Sequence, residues 1–501
     1  MTSDKLKKFF KTLENNLNSK NVFYTYFNEK KNFNDFKDYI KNFTTYLNLN
    51  FKNKNRLKIV TISEKNFEMY SSIYGIFLTR NIWIPISINL PLKRIIKMLE
   101  ITKPDLIITE DINDQKKTQT KNFCKKNNIV FTSFSEIVSL KSDKKLSIKP
   151  KKIKNTNIVT IFFTSGSTGE PKGIKINYDG FIHSFFEQNR ILYSNKKYNY
   201  VFGDYHETSF VISLNIALHS FFLGGTISPA KYLHETSMPI NHLVKNKINT
   251  LITVPSTISR IKKYKRKISN KILCDNIILC GEPFPLSIYN YILNNFKNKR
   301  IFNCYGSTEL SPWIFSHQCN QKDLITFKKD NLVPIGKPYK YTKIKIINNE
   351  LYVSGKMLAP GYLDERENKK KFINIENIRW YKTGDIVKKH QNNTFVIKGR
   401  IDRIVKIRGF RVELPEIEGI FNKKKDVTNS FCHLIKNEKD ELLSCIIETK
   451  KKYKDNEMVN YCKQSLPAYM IPKKFVFLKK FPINKSGKID RKKLIRKLNI
   501  N

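Results

Sequence analysis

From Leu57 onward the chain alternates β-like apolar runs with segments of helix length. LKIVTIS, NIWIPISI and DLIITED are the first three runs, and together they show the pattern of α/β layering around a largely parallel sheet. Further strands are expected at NIVTIFF, NTLITVP, NIILCGE and KRIFNCYG, several of which end directly in loops bearing Gly or Pro. Open α/β sheets collect their ligands at the carboxyl ends of strands, so these loops are where chemistry is expected.

After about Lys343 the pattern changes to the close-set strands of KIKIINNELYVSG, with Asn348 and Asn349 in a polar turn suited to a hairpin. Past Asp402 a smaller unit begins, with strands at IVKIRG, NSFCHLI, ELLSCIIET and KFVFL and helices starting near Pro415 and Asn456. The expected fold class is α/β. A large N-terminal domain, residues 1–401, holds layered, mostly parallel sheets with helices and a small β-rich part; residues 402–501 form a small α+β domain.

Length agrees with this division, because 501 residues exceed the roughly 250–300 that one hydrophobic core usually serves. An apolar content of 40% argues for ordinary globular folding. The net charge of +49 raises the question of nucleic acid, since a basic surface attracts phosphate backbones. The lysines, however, are spread along nearly the whole chain in company with Asn and Ile, and no RNP-type aromatic signature, zinc-finger spacing or basic zipper accompanies them. No nucleic-acid partner is expected.

The eight cysteines form no C-x-x-C pair and no zinc-like arrangement with histidine, so separate reduced thiols are expected. The N-terminal MTSDKLKKFFKTLENNL lacks the apolar core of a signal peptide. Ser213, Asn215 and His219 interrupt the longest apolar stretch, Phe210 to Gly225, which is short for a membrane span. A soluble cytoplasmic protein is expected.

The most specific segment is TSGSTGEPKG, which follows the strand pattern NIVTIFF. Gly166, Gly169 and Gly173 allow the backbone to bend sharply and approach an anion, Thr164, Ser165, Ser167 and Thr168 add hydroxyl donors, and Lys172 adds the cation. A polyphosphate is the natural ligand. This is not a Walker loop: Pro171 precedes the lysine where Gly is required, no Ser or Thr follows it, and the next residues read as a strand, with a helix only after Tyr178.

This loop resembles the signature of adenylate-forming enzymes: acyl-CoA synthetases, luciferases, and the adenylation domains and D-alanine ligases that serve carrier proteins. The resemblance covers nearly the full chain, because YGSTEL, ELYVSG, YKTGD, GRIDRIVKIRGFRVELPEIE and NKSGKIDRKKL follow in the family's order. It implies ATP and Mg2+ as cofactors. It also implies that Lys488 bridges the substrate carboxylate and the α-phosphate, that Thr308 hydrogen-bonds the α-phosphate, and that Glu309 holds the magnesium. Tyr305 is implied to stack on adenine beside Gly306, Asn303 to read the adenine amino group, Asp385 to accept the ribose hydroxyls, and Arg400 to complete the ribose and phosphate contacts. Asp402 takes the position of the family's hinge, about which a mobile C-terminal domain removes Lys488 and brings in the loop at Arg408 and Gly409 for a second half-reaction. Ser307 stands where the family usually has Pro.

By the same resemblance Phe210, Val211, Asn215, Ile278, Cys280, Cys304, Pro312 and Trp313 line the acid pocket. Amino-acid-activating members place an Asp where this chain has Val211, to pair with the α-ammonium. A buried ammonium without a partner is costly, so a small uncharged acyl, hydroxy or keto acid is favoured, with an amino acid held through Asn215 or backbone carbonyls as the second reading. PINKSGKIDRKKL and GEPF resemble members that charge carrier proteins, and a basic exterior suits an acidic carrier. The expected acceptor is the thiol of a phosphopantetheinylated carrier protein acting in trans, since no carrier domain follows within these 501 residues. A ligase using free CoA and a nucleic-acid-binding protein with a degenerate adenylation fold are the alternatives.

Overall fold

The structure is a computed structural model that describes residues 2–52, 54–110, 115–140, 153–165, 170–193, 199–264, 272–297, 300–436, 441–483 and 489–500. The chain folds into two compact units. The first contains Met1–Ile88, Thr102–Phe162 and Gly173–Gly399; the second gathers Asn89–Ile101, Phe163–Lys172 and Arg400–Asn501.

Two large sheets build most of the first unit. In the nine-stranded sheet Val201–Asp204, Thr250–Thr253, Asn276–Cys280 and Arg300–Gly306 run parallel to their neighbours, with Thr226–Pro229 and Val22–Tyr26 continuing the parallel order on one side. Trp313–Gln318 closes the other side antiparallel to Arg300–Gly306. The seven-stranded sheet has Lys58–Ser63 between Ile82–Ser87 and Leu106–Thr109, all parallel. These strands are apolar along almost their whole length rather than on alternate positions, as strands buried on both faces must be.

The hairpin expected after Lys343 joins Thr342–Ile347 to Glu350–Gly355. Its two turn residues, Asn348 and Asn349, both have positive φ, at 50° and 65°. That backbone matches the twist of the flanking strands, and Asn tolerates it better than most residues with a side chain. The stretch from Phe210 to Gly225 forms the helix Val211–Leu223, which ends where Gly224 adopts a left-handed conformation at φ 62°.

The N-terminal segment, charged on inspection, is the amphipathic helix Thr2–Asn16. Leu6, Phe9, Phe10, Leu13 and Leu17 are buried on its inner side, with Phe9 stacked edge-on against Phe181 and Phe185. Burial contributes about 1.5–3 kcal/mol for each large apolar side chain, enough to hold the helix despite its lysines. Among the described residues no helix is long and apolar enough to cross a membrane.

In the second unit Ile404–Ile407 and Phe410–Glu413 form a hairpin whose two-residue turn is Arg408 and Gly409, with φ 52° and 84°. Glycine makes the second position easy. Val427–Lys436, Glu441–Thr449 and Lys474–Leu478 form a three-stranded sheet, and the helices Leu414–Phe421, Asp455–Lys463 and Arg491–Ile500 accompany it. The packed interior includes Ile417, Phe421, Cys432, Cys445, Ile447 and Met470.

Candidate functional site

Side chains alternate faces along a strand, and this period divides the work of Arg300–Gly306. Phe302 and Cys304 pair in register with Ile278 and Cys280 and share their face, whereas Asn303 and Tyr305 lie on the other. Asn303 donates both of its amide hydrogens, to the carbonyls of Val333 at 3.1 Å and Pro334 at 3.0 Å. Carbonyls can only accept, so Asn303 must present its Oδ1 on the opposite side, the acceptor that an exocyclic amino group of a purine needs.

Tyr305 donates its hydroxyl to Asp385 Oδ2 at 2.6 Å. Asp385 is held within its own strand, Ile378–Lys389: its amide donates to Thr383 Oγ1 at 3.0 Å, Thr383 donates to the Leu351 carbonyl at 2.7 Å, and the Gly384 amide donates to Glu350 at 2.9 Å. The hairpin strand Glu350–Gly355 therefore sets the position of the carboxylate. A carboxylate with two acceptor oxygens, one oriented by a phenol, suits a vicinal pair of hydroxyls.

After Gly306 the chain turns through the short 3-10 segment Thr308–Leu310. Glu309 is wholly buried there, with Oε1 accepting from Tyr362 at 2.6 Å and its carbonyl accepting from the Ala359 amide at 2.9 Å. Thr308 stands immediately before it at the head of the turn.

In the second unit Thr164 ends the strand Ile158–Thr164, and Ser165 follows it. Ser165 Oγ donates to the Arg411 carbonyl at 2.8 Å and accepts from the Glu413 amide at 3.1 Å. Lys172 Nζ lies 3.0 Å from both carboxylate oxygens of Glu413, with both side chains buried. The lysine expected to meet a polyphosphate here meets a protein carboxylate. Arg400 forms a fork on Asp402, at 2.7 and 2.8 Å, so these two expected site residues engage one another. Gly166, Ser167, Thr168, Gly169 and Lys488 lie outside the described residues.

The residues expected around the acid all belong to the first unit. Ile278, Cys280, Cys304, Pro312 and Trp313 are buried, while Phe210 and Val211, at the start of the helix Val211–Leu223, are half-buried. Buried Asp204 holds the helix start, accepting from Ser213 at 2.6 Å and Tyr70 at 2.8 Å. Burial pushes the Cys304 thiol up to about 12, so it remains protonated and acts as a neutral wall. Asn215, one turn after Val211, reaches Gln188 on the helix Tyr178–Leu192 at 2.7 Å.

Sequence reasoning missed Tyr362, Glu350, Thr383 and Glu413, whose roles arise from distant contacts. It also missed Ser184, Gln188 and His219. For these a signal existed: Ser184 with Gln188, and Asn215 with His219, are polar pairs at i and i+4 inside otherwise apolar helix faces.

The AMP-binding enzyme family matches residues 12–363, and the AMP-binding enzyme C-terminal domain matches residues 416–488. The D-alanine–D-alanyl carrier protein ligase of Lactococcus lactis is 27% identical over 478 residues, covering 90% of this chain and 91% of its own. A Vibrio cholerae adenylation domain in complex with glycyl-adenosine-5'-phosphate is 19% identical, with a TM-score of 0.81 over 99% of this chain and 98% of that one. A double mutant of o-succinylbenzoate CoA synthetase from Bacillus subtilis, 18% identical, has a TM-score of 0.80 over 97% of this chain and 98% of that one.

Asp385→Ala is expected to raise the apparent KM for ATP by about 10- to 100-fold with a smaller change in kcat, the loss of hydrogen bonds to a charged acceptor. Pyrophosphate exchange at varied ATP measures it, and unchanged ATP dependence removes the ribose role. Glu413→Gln keeps the shape of its side chain but withdraws the charge that competes with phosphate for Lys172. Its apparent KM for ATP is expected to fall by about five-fold, since a ligand gains whatever its competitor loses. A KM that stays level or rises shows that the pair does not oppose nucleotide.

Proposed function

Because the chain belongs to the AMP-binding enzyme family, we propose that it adenylates a small carboxylic acid with ATP and passes the acyl group to the phosphopantetheine thiol of a separate carrier protein. The observation that carries this reading is the array at the carboxyl end of Arg300–Gly306: an acceptor on Asn303, the Tyr305–Asp385 pair, and the turn bearing Thr308 and Glu309. It provides, in order along the chain, groups for a base, a ribose and a phosphate.

In the first step a carboxylate oxygen of the acid attacks the α-phosphorus. The bond from that phosphorus to the bridging oxygen breaks, and pyrophosphate leaves with the electron pair. Bringing two anions together at 4 Å costs about 4 kcal/mol at an effective dielectric of 20, so cations must offset the repulsion. Lys488 is assigned this task between carboxylate and α-phosphate, where charge develops. Thr308 donates its hydroxyl to the α-phosphate. Thr164, Ser165, Gly166, Ser167, Thr168, Gly169 and Lys172 hold the triphosphate, with Arg400 assigned to the ribose and phosphate.

The buried carboxylate of Glu309 would hold magnesium, an ion that takes oxygen ligands, and the ion when bound would supply charge neutralisation on the phosphates. In the second step the carrier thiol, as thiolate, attacks the acyl carbon, the bond from that carbon to the phosphate oxygen breaks, and AMP leaves with the electron pair. The turn of Arg408 and Gly409 is assigned to this step, and Asp402 to the rotation between the two.

A carrier protein is favoured over CoA by the similarity to a D-alanyl carrier protein ligase over most of both chains and by the net charge of +49, which complements an acidic carrier. The eight free cysteines suit a reducing compartment, the cytoplasm. Offering purified carrier protein and CoA in parallel to enzyme loaded with acyl-adenylate tests the acceptor.

Lys488→Ala is expected to lower acid-dependent pyrophosphate exchange by several orders of magnitude while thioester formation from supplied acyl-adenylate continues. Equal loss in both half-reactions rejects the assignment. Val211 offers neither charge nor acceptor, so the wild type is expected to prefer an acid without an α-ammonium over the amino acid of the same skeleton. One charge-assisted hydrogen bond is worth about 1.5–3 kcal/mol, or roughly 10- to 150-fold in specificity. Val211→Asp is expected to narrow or reverse that preference, and exchange with matched acids measures the ratio.

A further inference from the structure

Hydrogen bonds link the buried side chains Ser184, Gln188, Asn215 and His219, and a main-chain carbonyl sets their direction. Ser184 Oγ is 2.8 Å from the Trp313 carbonyl, which can only accept, so the serine donates to it. Having donated, Ser184 accepts from Gln188 Nε2 at 2.7 Å. Gln188 Oε1 then faces the other way and accepts from Asn215 Nδ2 at 2.7 Å.

His219 Nε2 stands 3.3 Å from the same Gln188 oxygen, with its ring stacked on Phe185 at 4.1 Å. Burial pushes the histidine down to about 3, so it is neutral and its one proton belongs on Nε2, facing the acceptor. Turning over the Asn215 amide would set Asn215 Oδ1 against Gln188 Oε1, acceptor against acceptor. The orientation of Asn215 is therefore decided by the Trp313 carbonyl, three hydrogen bonds away.

The consequence is an oriented acceptor. Asn215 is 3% exposed, and its Oδ1 accepts no hydrogen bond from any described group. It lies on the helix face of Val211, one turn earlier.

We propose that Asn215 Oδ1 receives the substituent on the α-carbon of the acid, and that the pocket consequently selects an α-hydroxy acid. This deepens the adenylation reading above and rests on its placement of the acid pocket. The pocket offers one neutral acceptor, and a hydroxyl offers one donor. An ammonium brings three N–H groups and a charge, for which Val211 supplies nothing. A keto oxygen sets acceptor against acceptor, and an unsubstituted acid leaves Oδ1 buried without a partner. Ser184 and Gln188 are positioning residues, acting on the acid through Asn215.

The test is pyrophosphate exchange with sets of acids of one skeleton each, from glycolate and lactate to 2-hydroxyisocaproate, beside the corresponding amino, keto and unsubstituted acids. Wild-type enzyme is expected to favour the hydroxy acid over the unsubstituted acid by about 10-fold, the effect of one buried acceptor gaining or losing its donor. Asn215→Leu should erase that advantage, with a wild-type circular-dichroism spectrum and thermal transition showing that the variant folds. Asn215→Asp should move the preference toward the amino acid. Ser184→Ala, which frees the amides to turn over, should reduce the ratio of hydroxy to unsubstituted acid toward that of Asn215→Leu. A wild-type preference for the amino, keto or unsubstituted acid, or an Asn215→Leu ratio equal to wild type, overturns this proposal and leaves adenylation standing. Absence of exchange with every acid overturns both.

Discussion

The strand Arg300–Gly306 can turn back into Trp313–Gln318 only because position 306 carries no side chain. A Cβ there would lie 1.9 Å from the Pro312 carbonyl oxygen, a backbone atom that cannot move aside. This close approach brings Tyr305 opposite Phe315 and Gly306 opposite Trp313, and it leaves room between them for the Thr308–Leu310 turn. Asn303 and Tyr305 then lie on one face of the strand and Cys304 on the other.

Buried carboxylates organise much of what surrounds this strand, although the chain as a whole is strongly basic. Asp385 is oriented by Tyr305, Glu309 by Tyr362, and Asp204 by Tyr70 and Ser213. In each case a neutral hydroxyl donates to the carboxylate, and at Asp204 the buried Lys65 ammonium also reaches the main-chain carbonyl at 2.8 Å. Lys172 in the second unit shows the contrasting arrangement, since it faces the full charge of Glu413. Its attraction for a triphosphate depends on breaking that pair. The excess of lysine elsewhere bears on association with acidic partners rather than on this local chemistry.

The residues assigned to the acid follow a different rule from those assigned to the nucleotide. Burial keeps the Cys304 thiol protonated, and the Asn215 amide takes its direction from a main-chain carbonyl through Ser184 and Gln188. A carboxylate at position 211 would recognise an ammonium by charge. An amide at position 215 would recognise by counting donors, a weaker but more discriminating demand on geometry.

The sequence by itself determined the α/β class, the hairpin at Asn348 and Asn349, and the order of the motifs, because each depends on local pattern or on residues adjacent in the chain. The oxygen presented by Asn303 was not legible, since it depends on the carbonyls of Val333 and Pro334, thirty residues away. The same holds for the Tyr305–Asp385 pair, separated by 80 positions, and for Lys172 with Glu413, separated by 241. The N-terminal helix was hidden for another reason: lysines are interspersed among its apolar positions, and only the surface it covers shows which face matters. Ser184, Gln188, Asn215 and His219 left a trace as polar residues spaced by one turn within apolar helices. Their hydrogen-bond direction could come only from tertiary structure, because an amide can face either way until a group with a single possible role, here the Trp313 carbonyl, decides it.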